Sequence, residues 1–119
     1  MVKATRIQEK VKGVGFDWDN KEQVFDKVKE EFSELHQEIK KTNNHEKIEK
    51  EFGDVLFSMI NYARFIGVDP ESALERTNKK FIGRFNYLEQ EIKANKMDFM
   101  KMSLEEMDLI WDRSKKKFP

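Results

Sequence analysis

Val24-Phe25-Asp26-Lys27-Val28-Lys29-Glu30-Glu31-Phe32-Ser33-Glu34-Leu35, running on to Ile39, decides the fold class. Val24, Phe25, Val28, Phe32, Leu35 and Ile39 recur at spacings of three and four, the period of a helix with one apolar face. Asp19 with Glu22 three residues later reads as a capping box at its start, which predicts a helix near 20–40. After the polar run Lys41-Thr42-Asn43-Asn44-His45, read as a loop, Ile48, Phe52, Val55, Leu56, Met59, Ala63 and Ile66 mark a second stripe closed by Gly67, a helix near 45–66. Asp69-Pro70 caps a third, near 70–94, whose face is Leu74, Thr77, Phe81, Phe85, Leu88 and Ile92. Residues 95–102 read as a loop, and Ser103-Leu104-Glu105-Glu106 boxes the start of a short last helix carrying Met107, Ile110 and Trp111. Ile7, Val11 and Val14 allow a short amphipathic turn in an N-terminal segment 1–14, ahead of a domain over 15–119.

With 2 prolines and 5 glycines in 119 residues there is too little punctuation for an array of strands, so the expectation is an all-α bundle of about four helices. The second helix is apolar on more than one side, because Phe57, Ile60, Tyr62 and Phe65 fall off its main stripe. A helix that broad needs two burial partners, which predicts a bundle completed by dimerisation into a homodimer.

Lys and Arg total 23 against 23 Asp and Glu. A balanced charge offers no long-range field toward nucleic acid or anionic lipid, so neither partner is expected. The absence of cysteine excludes disulfides, thiol catalysis and Cys-based metal sites. No apolar run approaches the roughly 20 residues of a membrane span, and the charged N-terminus lacks a signal-peptide pattern, so a cytoplasmic location is expected.

Chemistry concentrates in acids three apart. Glu31 and Glu34 share one flank of the first long helix with Lys27 and Glu38; Glu51 and Asp54 share a flank of the second with Ser58 and Asn61. Four carboxylates meeting at a helix–helix seam would repel one another unless neutralised, and oxygen-only ligands suit Mg²⁺, or Mn²⁺. Spacing alone favours a solvated, salt-bridged face over a metal site, since in a chain this rich in acids such pairs are expected by chance. Lys80 and Arg84, one turn apart, form a pair able to grip phosphate oxygens, or a solvated pair. A ferritin-like di-iron site is excluded, since Ser33 and Thr42 stand three before His36 and His45, where glutamate would be required. His36 reads as a surface helix residue and His45 as a loop residue. Phosphate loops, nucleophile elbows and zinc-protease motifs are missing too.

Gly15-Phe16-Asp17-Trp18, Glu30-Glu31-x-x-Glu34, Glu51-x-x-Asp54, Asn61-Tyr62-Ala63-Arg64, Gly67-Val68, Asn78-x-Lys80-Phe81-x-x-Arg84-Phe85 and Trp111 together closely resemble the MazG family of nucleoside triphosphate pyrophosphohydrolases. The likeness is to the second, C-terminal domain of the two-domain bacterial form, and it fits a standalone protein or an excised domain. It implies an all-α dimer that hydrolyses a nucleoside triphosphate to the monophosphate and diphosphate. It also implies Glu31, Glu34, Glu51 and Asp54 as Mg²⁺ ligands, Lys27, Lys80 and Arg84 on the triphosphate, and Trp111 near the base. On that reading a water acidified by the metal attacks at the α–β bridge, with Glu34 and Glu38 as the acids placed to assist. A narrow dUTPase-like or phosphoribosyl-ATP-type pyrophosphohydrolase, and a non-catalytic dimeric helical adaptor, remain as alternatives.

Overall fold

The computed structural model describes every residue except Phe16 and Thr42. Among the described residues it is all-helical: α1 (Val2–Gly13), α2 (Lys21–Lys41), α3 (His45–Phe65), α4 (Pro70–Ala94), a 3₁₀ turn (Phe99–Lys101) and α5 (Leu104–Lys117). The chain divides into two compact units, Met1–Ser72 and Ala73–Pro119.

In the first unit α2 packs along α3, and α1 packs against α3. The short link between Lys41 and His45 makes α2 and α3 antiparallel neighbours. Val24, Val28 and Leu35 of α2 and Val55 and Ile60 of α3 form the buried apolar set. Glu31 stands in the same register as Val24, Val28 and Leu35, and it too is buried. Phe25, Phe32 and Ile39 on α2, and Phe52, Leu56 and Met59 on α3, are exposed in the single chain. The α3 stripe expected to face the chain's own core is thus largely the bare one, and Ile60, expected off it, is inside.

The helix starts follow local hydrogen bonding. At α2 the cap falls one residue later than expected: Asn20 Oδ1 accepts from the Gln23 amide at 3.0 Å, and Gln23 Oε1 accepts from the Asp19 amide at 3.2 Å. Asn44 caps α3 by accepting from the Glu46 and Lys47 amides, so His45 opens the helix instead of lying in a loop. The part of that expected loop at Thr42, and the Phe16 position of the Gly15–Trp18 stretch, lie outside the described residues. Gly67, at φ +75°, closes α3: its amide bonds to the Arg64 carbonyl and the Val68 amide to the Ala63 carbonyl. α1 is a fifth helix of 12 residues where only a turn was expected. It is held from outside, since Gln8 Nε2 donates to the Phe57 carbonyl of α3 at 2.9 Å.

In the second unit Leu88, Ile92 and Ile110 are the buried core, flanked by Tyr87, Phe99, Met102 and Trp111. Only the C-terminal half of the expected α4 stripe is covered; Leu74, Phe81 and Phe85 are exposed. Ser103 and Glu106 form the expected capping box of α5, and Asp98 caps the 3₁₀ turn inside the segment read as loop.

Candidate active site

The antiparallel seam brings Glu31 from α2 together with Glu51 and Asp54 from α3: one carboxylate oxygen of each lies within 4.8 Å of the others. Glu31 is only 8% exposed, because it occupies a core position of the α2 register. One oxygen of Glu31 and one of Glu51 are shielded from water and have no hydrogen-bond partner. A desolvated carboxylate oxygen without a donor costs free energy, and a cluster of them costs more through mutual repulsion. Hard oxygen donors, two of them shielded and partnerless and a third supplied from the exposed Asp54, are what a divalent cation of the Mg²⁺ type takes, so these residues fit one.

A partial neutraliser is already present. Lys27 Nζ stands 3.1 Å from the other Glu31 carboxylate oxygen, Oε1, and 3.5 Å from Glu30, and the Glu31 hydrogen bond holds the ammonium above the ordinary lysine value. Glu34, one turn beyond Glu31 on an exposed flank, lies outside the three-oxygen cluster but within its field. The Glu31 charge first, then desolvation and the Glu30 and Glu51 charges, push its carboxyl above the usual range. Glu38 is half-buried one turn further on, and His36 is exposed.

A cleft of about 430 Å³ opens in the same unit between α1, the Asp17–Trp18 stretch and α3, walled by Ile7, Val11, Trp18 and Phe57. Arg64 crosses it, with Nη2 2.9 Å from Asp17 and 2.7 Å from Asn61 Oδ1. That guanidinium holds the Asp17 carboxyl below the usual range. Arg64 Nε and Gln8 Oε1, on residues lining the cleft, are buried without partners. Sequence reading did not single out Gln8. The one available signal was its place three residues before Val11, on the apolar side of α1.

The second unit carries the cations. Lys80 and Arg84 are both half-buried on α4. Arg84 Nε donates to the Phe118 carbonyl at 2.9 Å. Trp111 is half-buried against the unit's core, its ring centroid 5.1 Å from that of Phe81.

A family model described as the MazG nucleotide pyrophosphohydrolase domain matches residues 19–88. The chain belongs to the MazG family. The matched stretch contains Lys27, Glu31, Glu34, Glu38, Glu51, Asp54, Lys80 and Arg84, while Gln8, Asp17, Trp18 and Trp111 lie outside it. The chain is 41% identical over 112 residues to a Thermotoga maritima protein named nucleoside triphosphate pyrophosphohydrolase/pyrophosphatase MazG, covering 94% of this chain and 42% of that one. It is 36% identical over 117 residues to the Escherichia coli K12 nucleoside triphosphate pyrophosphohydrolase, covering 98% of this chain and 44% of the other. An uncharacterised Bacillus subtilis protein, YabN, is 46% identical over 68 residues, 57% of this chain and 14% of that protein. The chain therefore spans less than half the length of the MazG proteins it matches. No helix among the described residues is long and apolar enough to cross a membrane.

Proposed function

We propose that the chain is a divalent-cation-dependent nucleoside triphosphate pyrophosphohydrolase, converting a nucleoside triphosphate and water into the monophosphate and diphosphate. The observation that carries this reading is the carboxylate trio of buried Glu31, half-buried Glu51 and exposed Asp54, two of whose oxygens are shielded and partnerless, in a chain of the MazG family.

Glu31, Glu51 and Asp54 hold the cation, Mg²⁺ in the first instance, with Glu34 as the fourth carboxylate. When bound, the cation neutralises these carboxylates, acidifies a water and offsets charge on the phosphates. Lys27, Lys80 and Arg84 bind triphosphate oxygens, the arginine bidentately, and Trp111 lies near the base. Water attacks one phosphorus of the α–β bridge, the bond from that phosphorus to the bridging oxygen breaks, and the leaving phosphate carries the electron pair away. Glu34 suits the receipt of the water's proton, because the surrounding acids raise its affinity for one. Glu38 assists from the next turn. The exposed Phe25, Phe32, Phe52, Leu56 and Met59 support a homodimer, in which a second copy covers them.

The test is incubation with each ribo- and deoxynucleoside triphosphate plus Mg²⁺, separating diphosphate from orthophosphate. Diphosphate that disappears in EDTA is the expected result. Orthophosphate alone would mean an ordinary phosphatase, and no product would leave a helical binding module.

A further inference from the structure

We propose that Phe118 is a positioning residue for Arg84, and that Gly83 is the seat that makes this possible. The proposal rests on the assignment of Arg84 to the triphosphate. Three separate contacts fix Phe118. Its amide donates to the carbonyl of Ser114 at 2.9 Å, and Ser114 is fully buried, so the main chain there is tied to the core of the second unit. Its ring lies on Gly83: a Cβ added to that glycine would stand 2.8 Å from Cδ1 and 2.9 Å from Cε1 of Phe118, closer than real side chains approach. Its carbonyl accepts from Arg84 Nε at 2.9 Å.

Gly83 has ordinary helical neighbours on both sides in α4, and glycine inside a helix is less favourable than alanine. No positive φ calls for it here. The space its missing side chain leaves is filled by the Phe118 ring, and that is the physical reason for a glycine at this position. The consequence falls on the next residue. A guanidinium has five N–H donors in one plane; with Nε committed to a fixed carbonyl, the plane is set and the Nη1 and Nη2 fork is what remains for a phosphate. Holding the fork before the substrate arrives removes rotamer freedom that would otherwise be lost on binding.

The test uses the full 119-residue chain in steady-state hydrolysis of one nucleoside triphosphate with saturating Mg²⁺. Gly83→Ala and Phe118→Ala are each expected to raise KM on the order of three- to tenfold, with kcat within about twofold of wild type. Their double variant should resemble either single one, since both break the same contact. In an Arg84→Ala background neither should change KM further. Helix propensity alone would have Gly83→Ala raise the melting temperature, so stability and KM report different things. If Gly83→Ala does not fold, Phe118→Ala, which removes only a half-buried ring, carries the measurement.

An unchanged KM in folded Phe118→Ala overturns the proposal, and so does a lowered KM, which would make the contact a competitor of substrate. If Arg84→Ala itself leaves kcat/KM within about twofold of wild type, the assignment of Arg84 to the triphosphate has failed instead. If no variant or wild type releases diphosphate, the functional reading has failed.

Discussion

The two units are built from the same highly charged, helix-forming sequence, yet they treat charge in opposite ways. In Ala73–Pro119 the core is Leu88, Ile92 and Ile110, an apolar seam between α4 and α5. In Met1–Ser72 the register Val24, Val28, Leu35 admits a carboxylate, Glu31, which then meets Glu51 and Asp54. The second arrangement stabilises nothing by itself: like charges crowd together and two oxygens lack partners. A fold tolerates such a cluster where something outside the chain completes it, so the contrast sets the unit that, on our proposal, carries the chemistry against one built around an apolar core.

The sharpest way to break that contrast is to make the first unit's seam resemble the second's. Glu51→Gln keeps shape and removes one of the clustered charges. Activity with saturating Mg²⁺ should fall by more than about a hundredfold, while the melting temperature in EDTA stays equal or rises as repulsion is relieved. Added Mg²⁺ should raise the wild-type melting temperature and leave the variant's nearly unmoved. If the variant loses stability in EDTA along with its activity, the cluster is structural and the contrast is false.

A second difference lies in the exposed faces. Phe52, Leu56 and Met59 form an apolar stripe on α3 that the single chain leaves bare. Light scattering should give a mass of twice 14.3 kDa for the wild type. Leu56→Glu should reduce that mass toward the monomer's, since an unpaired charge in a buried interface costs several kcal/mol. A wild-type mass near 14.3 kDa at high concentration would remove the second copy from the account.

The sequence made some of this legible and hid the rest for identifiable reasons. α3, α4 and α5 began where Asn44, Asp69 and Ser103 offered side-chain acceptors to free amides, because capping is local and its signals lie within three residues. The α2 cap slipped by one residue because Asp19-Asn20 followed by Glu22-Gln23 offers two registers of the same chemistry. α1 reads from the sequence only as a short amphipathic turn because its stability is not local: it has no side-chain cap, and Gln8 is anchored 49 residues away. Period and spacing placed Glu31, Glu51 and Asp54 on facing flanks, but which apolar stripe of α3 turned inward was beyond them, since both stripes satisfy the same helical period. The Phe118 contact with Arg84 spans 34 residues and leaves no mark in either local stretch.

The cations of the second unit give the next test. Arg84→Ala should lower kcat/KM at least about tenfold, the loss of charge-assisted contacts, with the melting temperature little changed. Arg84→Lys should recover only part, because a point charge does not reproduce the planar fork. A ratio within about twofold of wild type would return Arg84 to packing duty and leave the first unit to act alone.

The smallest effect concerns the arm that carries Trp18. Asp17 is joined to Arg64 at 2.9 Å, with both side chains mostly shielded, and its carboxyl sits below the ordinary value of 3.8 for that reason. A carboxylate whose folded-state pKa is depressed contributes stability that is present above the unfolded value and is lost as pH falls through the folded one. Asp17→Asn should therefore cost about 1–2 kcal/mol at neutral pH, seen as a drop of several degrees in melting temperature. The gap between variant and wild type should stay constant down to about pH 5 and then narrow toward zero below pH 3.8. A gap of the same size at pH 3 as at pH 7 would show that the asparagine harms packing around the cleft and that the ion pair with Arg64 is not what holds the arm.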